Sequence, residues 1–134
     1  YKFDIPQELI FATDYKHSFL EGELLPLILF AKLWLSKISI VHIDAEEVLT
    51  DVQKSNKQLL SENLRRIEHK FLNLKKETSL TDTLLLLEKE NKKIALIAMI
   101  RTKHGFFKNL LHEPVIKKMA FKTEVPFLVL PFLE

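Results

Sequence analysis

Four residues that can bind an anion follow the apolar run KKIALIAMI: Arg101, Lys103, His104 and Gly105. Cationic side chains bind phosphate oxygens through charge-assisted hydrogen bonds, and a glycine lets backbone amides approach an anion without an intervening Cβ. A strand followed by such a segment and by a helix is the setting of a phosphate loop. Basic residues are also common on solvated surface loops, which is the more frequent interpretation of such a group.

A second group of candidates follows two other apolar segments. Thr13 and Asp14 come directly after ELIFA, and Ile43 ends the segment KISIVHI. The carboxyl ends of parallel strands lie at one edge of a sheet, where ligands of doubly wound folds bind. Asp14 could equally stabilise the turn that precedes the next helix.

These candidates require a sheet that brings them together. The apolar pattern alternates between strand and helix, which predicts a parallel sheet covered on both faces. Strands are predicted at residues 9–13, 38–43, 70–74, 94–100 and 127–130. Helices are predicted to begin at a cap formed by Ser18 and Glu21, within residues 46–68, at residues 80–90 and at Pro114. With 134 residues and 47% hydrophobic content, residues 1–134 are expected to form one domain.

The first two helices have apolar patterns that predict their buried sides. In the first helix the side facing the sheet is predicted to consist of Leu20, Leu24, Leu27, Ala31 and Leu35. Its other sides are also rich in leucine, which indicates burial on more than one side. In the second helix the predicted apolar stripe consists of Val48, Val52, Leu59, Leu60, Leu64 and Ile67.

Composition excludes several classes of function. The 20 basic and 18 acidic residues nearly balance, so we expect no nucleic-acid partner. Residues 24–43 are long enough to span a bilayer, but Lys32 near the middle of that segment argues against a membrane protein. The absence of cysteine fits a cytoplasmic protein and rules out thiol chemistry.

Catalytic and metal-binding patterns are not visible in the sequence. No serine stands in a G-x-S-x-G setting, and no nucleophile with an adjacent base is recognisable. The five histidines form no spacing typical of a metal site, and His42 with Asp44 is interpreted as ordinary strand-end chemistry. We therefore expect neither an enzyme nor a bound metal.

Three segments together resemble the universal stress protein family: IPQELIFATDYKHSF, KISIVHID and VIKKMAFKTEVPFLVLP. The resemblance implies an α/β fold with one doubly wound five-stranded parallel sheet of order 3-2-1-4-5, similar to the adenine-nucleotide alpha-hydrolases. It further implies a crevice for ATP or AMP beside the first and fourth strands. Thr13 and Asp14 would lie on the adenosine side, Ile43 would line the base pocket, and residues 101–114 would form the phosphate loop.

The phosphate loop departs from the family pattern G-x2-G-x9-G-S/T. Gly105 stands near the second glycine, but Glu113 and Pro114 replace the final Gly-Ser/Thr pair and the spacing is about two residues short. Pro114 lacks an amide donor, and Glu113 would repel a phosphate from the helix start. We therefore predict a degenerate pocket without a cofactor. The alternative is an ATP or AMP site built from Arg101, Lys103, His104 and Gly105, with slow hydrolysis at most.

The last strand, within VPFLVLPFLE, would lie at an edge of the sheet in this family. Exposed apolar edge strands tend to pair with another strand. We expect a homodimer, or pairing with an upstream twin domain if the chain is the second half of a tandem protein, in addition to a protein partner of unknown identity. The predicted function is a non-catalytic module in stress response or regulation.

Overall fold

A computed structural model describes residues 8–13, 15, 20–43, 48–74, 80–91, 93–101 and 125–131 of the chain. Strands and helices alternate from the first element to the fourth strand. In chain order the elements are β1 (Glu8–Ala12), α1 (Glu21–Leu33), β2 (Lys37–Ile43), α2 (Asp51–Asn63), β3 (His69–Leu74), α3 (Leu80–Glu90), β4 (Ile94–Arg101) and β5 (Phe127–Pro131). Each of the five strands lies within one residue of its predicted bounds. The helix predicted to begin at Pro114 lies outside the described residues.

The five strands form one sheet in the order β3-β2-β1-β4-β5, and all of the neighbouring pairs are parallel. The predicted fold class and strand order are therefore confirmed. The chain runs outward from β1 to β3 and then crosses to β4 on the other side of β1. Strand order consequently reverses between β1 and β4, which is where doubly wound folds bind ligands.

Side chains of β1 alternate between two hydrophobic cores, as the period of a strand requires. Leu9 and Phe11 point to the core beneath α1 and α2, where they are buried with Leu24 and Leu60. Ile10 and Ala12 point to the opposite core, which includes Leu84 of α3. The helices thus lie on both faces of the sheet, and β1 is buried along its whole length.

The predicted start and buried side of α1 are partly wrong. The helix begins at Glu21, with Leu20 at the N-cap position, two residues later than the Ser18 cap predicts; Ser18 itself lies outside the described residues. A carboxylate oxygen of Glu23 accepts a hydrogen bond from the Leu20 amide at 2.8 Å. Leu20 and Leu35 are exposed because they lie beyond the two ends of the helix.

The buried side of α1 consists of Leu24, Leu27, Ile28 and Ala31. Leucines at positions 25, 29 and 33 repeat every four residues on the opposite side and are 50–75% exposed. Burial of α1 on more than one side is therefore not found within the described part of the chain.

The apolar stripe predicted for α2 is buried only from Leu60 onward. Leu60, Leu64 and Ile67 are buried, but Val48 and Val52 are 85% and 66% exposed. The helix begins at Asp51 after the N-cap residue Thr50, so Val48 precedes it. Its buried side contains two polar residues in addition to Leu60, namely Gln53 and Asn56.

The segment with the length of a membrane span, residues 24–43, divides between α1 and β2. Three residues, Trp34, Leu35 and Ser36, separate the two elements. Within the described ranges, no helix has both the length and the apolar character needed to cross a lipid bilayer.

Candidate functional site

The carboxyl ends of β1, β2 and β4 lie side by side at one edge of the sheet. Ala12 is paired with Val41 of β2 and with Met99 of β4. The Thr13 amide continues this pattern by donating to the Val41 carbonyl at 3.0 Å.

Three of the seven candidate residues consequently have backbone positions at this edge. Thr13 follows β1, Ile43 ends β2 and Arg101 is the last residue of β4. The Thr13 side chain is buried. Asp14, Lys103, His104 and Gly105 lie outside the described residues.

The chain turns sharply after β1. The Thr13 hydroxyl oxygen accepts a hydrogen bond from the Tyr15 amide at 3.1 Å, which is the contact that closes an ST-turn. Tyr15 has a φ angle of 62°, in the left-handed region that non-glycine residues seldom occupy. Surrounding contacts must hold such a residue in place, and conformations of this kind concentrate at functional sites.

An aromatic cluster holds the Tyr15 side chain. Its ring centroid lies 5.1 Å from that of His42, near the end of β2, and 6.4 Å from that of Phe71 in β3. The Lys57 ammonium covers the cluster at 4.8 Å from the Phe71 centroid, which is within cation–π range. Tyr15 and His42 are both buried. The cluster therefore joins the turn after β1 to β2, β3 and α2.

Helix α2 supplies the contact that fixes the Tyr15 backbone. The Asn56 side-chain amide donates to the Tyr15 carbonyl oxygen at 2.7 Å, and both residues are buried. A reciprocal capping box fixes the start of α2, because Thr50 accepts from the Gln53 amide while Gln53 accepts from the Thr50 amide. Asn56 follows one turn after Gln53, so this cap positions it.

The Tyr15 hydroxyl has no hydrogen-bond partner among the described residues. Burial disfavours its charged form and raises the pKa of Tyr15 from 10.0 to about 12. The phenol is therefore uncharged at physiological pH, and its ring packs as an apolar group that carries one polar atom. A hydroxyl with this pKa is a poor base and a poor nucleophile near neutrality.

Neither Tyr15 nor Asn56 is among the residues predicted from the sequence. Asp14 is selected as the candidate in this segment because it carries a charge, whereas the neighbouring Tyr15 does not. A single asparagine in a helix, such as Asn56, is usually interpreted as a surface residue. The available signal was the combination of a bulky aromatic residue in a tight turn and a polar residue at a position that faces the sheet.

A polar cluster that the sequence did not predict lies at the opposite edge of the sheet. Glu8, the first residue of β1, is buried and hydrogen-bonded to the hydroxyl of Ser39. The Asn91 side-chain amide donates to the other carboxylate oxygen of Glu8, Oε2, at 2.7 Å. The Lys70 ammonium lies 3.9 Å from Oε1, the oxygen bonded to Ser39. These contacts satisfy a carboxylate that would otherwise be costly to bury.

A serine and a histidine also meet near this edge. His69 Nδ1 lies 2.7 Å from the Ile67 carbonyl oxygen, so Nδ1 carries a proton and donates it there. His69 Nε2 lies 3.2 Å from the Ser61 hydroxyl oxygen, and it accepts a hydrogen bond from that hydroxyl when the ring is neutral. This pair joins α2 to β3. No comparable pair was recognised in the sequence, because eight residues separate the two side chains.

Metal binding finds no support in the described ranges. Among those residues, no group of three or more His, Asp or Glu side chains is arranged to hold a metal ion.

Solved protein structures provide a comparison for this fold and its strand-end edge. A universal stress protein from Archaeoglobus fulgidus superposes with a TM-score of 0.63 at 19% identity, over 94% of each chain. The universal stress protein of that organism in complex with dAMP gives a TM-score of 0.63 at 17% identity, covering 94% of this chain and 98% of that one. A universal stress protein in complex with cAMP gives 0.62 at 15% identity, covering 95% and 98%.

This chain has the universal stress protein fold. The fold agrees with the resemblance in the three sequence segments and extends it to almost the whole chain. No protein-family model and no curated protein matches the sequence. In this fold the edge that carries Thr13, Ile43 and Arg101 lies at the reversal of strand order, so it is the candidate functional site of the chain.

Proposed function

We propose that this chain is a non-catalytic module of the universal stress protein type, which acts in stress response or regulation through protein pairing. Its nucleotide pocket is degenerate in this proposal. The observation that carries the proposal is the packing of Tyr15 at the strand-end edge.

Tyr15 supports the proposal because it fills space on the side where the resemblance implies adenosine. Its ring packs against His42 and Phe71 and has no exposed surface. Its amide and carbonyl are both hydrogen-bonded within the chain, to Thr13 and Asn56. A nucleotide base on this side would have to displace an aromatic cluster and break buried hydrogen bonds.

The loop sequence gives independent support. Glu113 and Pro114 stand where a nucleotide-binding member has Gly-Ser/Thr, and both changes disfavour a phosphate at a helix start. Because these residues lie outside the described ranges, this argument comes from their chemistry alone.

Pairing through β5 is the second part of the proposal. β5 is paired with β4 and is the last strand in the sheet order, so its other edge is open among the described strands. Its side chains are apolar, and Phe127, Leu128 and Val129 are only half-buried. An apolar edge of this kind favours a second strand, from another copy of the chain or from a twin domain.

A second candidate function is binding of ATP or AMP at an atypical phosphate site. Two proteins with this fold were solved as complexes with dAMP and cAMP. Arg101 ends β4 beside β1, and the basic residues at positions 103 and 104 follow it. In this alternative their side chains replace the missing glycine amides as phosphate ligands.

Calorimetry and thermal shift with ATP, ADP and AMP separate the two functions. The degenerate-pocket proposal expects no dissociation constant below about 100 µM, which corresponds to roughly 5.5 kcal/mol of binding free energy. Tighter binding by the wild-type chain overturns it. If that binding is also lost in R101Q/K103Q, the side-chain phosphate site is the better description.

A restoring variant provides the matched control. E113G/P114S returns the glycine and hydroxyl at the helix start, and we expect it to bind nucleotide more tightly than wild type if the loop alone prevents binding. If wild type and the restoring variant both fail to bind, the Tyr15 cluster is the stronger obstacle.

Light scattering of wild type and V129K tests pairing through β5. Wild type should be a dimer and V129K a monomer. A wild-type monomer contradicts pairing between copies.

A further inference from the structure

A small pocket lies at the amino-end side of the sheet, away from the strand-end edge. It has a volume of about 190 Å³ and lies between α1 and the turn that joins α2 to β3. Its lining residues are Ile28, Lys32, Asn63, Arg65, Arg66 and Ile67. Ile28 and Ile67 are buried and form an apolar floor, while the three cationic residues are exposed.

The charge of this pocket is uncompensated within the described part of the chain. Lys32, Arg65 and Arg66 form no ion pair with a carboxylate there, and no acidic residue lines the pocket. The Arg65 guanidinium donates to the Glu62 backbone carbonyl at 3.2 Å, which leaves other N–H donors of that group available. Three positive charges converging on one small pocket raise the local concentration of anions.

Interaction with the α2 dipole explains only part of this arrangement. Arg65 and Arg66 follow the carboxyl end of α2, where cations are favourable. Lys32 lies in the last turn of α1, where a cation is favourable for the same reason, and it lines the same pocket. The two helix ends together carry a partial charge of only about −1, which is smaller than the three positive charges of the pocket.

The volume limits the ligand. Pockets for drug-sized molecules have volumes of roughly 300–1,000 Å³, so 190 Å³ encloses one small group and not a whole nucleotide. Guanidinium groups bind tetrahedral oxyanions through parallel N–H···O bonds, and a lysine adds a point charge. We propose that the pocket formed by Lys32, Arg65 and Arg66 binds a phosphate group.

The phosphate group can be free or carried by a lipid. Leu29 and Leu33 of α1 lie next to Lys32 in the helix and are 56% and 75% exposed, so apolar surface adjoins the pocket. A lipid head group would place its phosphate among the cations and its chains near these leucines. Inorganic phosphate would use the pocket alone.

Two binding measurements distinguish these sources. The first is titration with inorganic phosphate at constant ionic strength, followed by NMR shifts of the backbone amides at positions 63–67. The second is sedimentation with vesicles that contain phosphatidic acid, compared with neutral phosphatidylcholine vesicles. Saturable binding in either measurement supports the proposal and identifies the source, while absence of binding in both overturns it.

Matched variants show whether the pocket is responsible. We expect R65Q/R66Q to weaken binding roughly tenfold or more, because two charge-assisted contacts are lost. Lys54 lies on α2, is exposed and does not line the pocket, so K54Q should change binding less than about twofold. Equal binding by R65Q/R66Q and wild type would overturn the proposal. Circular dichroism confirms that each variant is folded.

Discussion

The side-chain amide of Asn56 donates a hydrogen bond to the backbone carbonyl of Tyr15 across 2.7 Å, and so joins the middle of α2 to the turn after β1. Forty-one positions separate the two residues, and both are buried. The bond supports a tyrosine with a φ angle of 62°, at the carboxyl ends of the strands, where doubly wound sheets in general bind ligands.

Removing this bond should destabilise the protein measurably. N56A leaves the buried Tyr15 carbonyl without its partner, which we expect to lower the free energy of unfolding by about 1–3 kcal/mol. Urea denaturation monitored by circular dichroism measures the change. Gln58 lies on the same helix with an exposed side-chain bond of 3.4 Å, so Q58A should cost less than about 0.5 kcal/mol. Similar decreases in the free energy of unfolding for the two variants would show that the Asn56 bond contributes no more than the exposed bond of Gln58.

Tyr15 predicts a specific loss of stability in alkaline solution. Because its pKa is raised from 10.0 to about 12 in the folded protein, the unfolded chain releases the phenol proton first. The contribution of Tyr15 to the free energy of unfolding is therefore constant below pH 10 and falls as the pH rises toward 12. The total loss is on the order of 2 kcal/mol.

The variant Y15F isolates this effect, since it removes one of the two tyrosines and no other titrating group. Between pH 7 and 9 we expect Y15F to be at least as stable as wild type, because the deleted hydroxyl has no partner among the described residues. Above pH 10 wild type should lose stability relative to Y15F. A constant difference across the whole range would contradict the raised pKa.

The buried Glu8 carboxylate should couple energetically to Asn91. N91A removes the donor at 2.7 Å, and we expect a loss of about 1–3 kcal/mol. Asn91 also accepts from the Lys93 amide, so the single variant measures two contacts. A double-mutant cycle with E8Q separates them and should give a coupling free energy of at least about 0.5 kcal/mol. A coupling near zero would show that the Glu8 contact contributes little.

The carboxyl end of α1 offers a stabilising substitution. Leu35 has a φ angle of 52° and is 86% exposed, at a position where helices usually have glycine. The bonds from Ser36 to Ala31 and from Leu35 to Lys32 form the Schellman pattern that requires this conformation. We expect L35G to raise the free energy of unfolding by roughly 0.5–1 kcal/mol.

Thermal unfolding of a second glycine variant provides the contrast. Leu29 is also exposed but lies within α1, so L29G should lower the free energy of unfolding by about 1 kcal/mol or more. Changes of the same sign for L35G and L29G would contradict the role of the left-handed conformation at Leu35.

Strand positions were predictable because their signal is local. The run IALIAMI is apolar along its whole length, as expected of a strand covered on both faces, and KISIVHI is rich in β-branched residues, so the bounds of both strands follow from a few adjacent residues. Helix α3 was predicted at residues 80–90 and found at Leu80–Glu90. The buried sides of α1 and α2 were predicted less well at the helix ends. Leu20, Leu35 and Val48 lie outside the helices to which they were assigned, so the helical period does not apply to them.

The sequence by itself determined the alternation of strands and helices, the fold class and the edge at which Thr13, Ile43 and Arg101 lie. Only the tertiary structure decided that Tyr15 packs at that edge, because its contacts with His42, Asn56 and Phe71 join segments far apart in the chain. It also brought Lys32 to Arg65 and Arg66 around one pocket. Local patterns record which residues are apolar, whereas the meeting of polar groups depends on how separate elements pack.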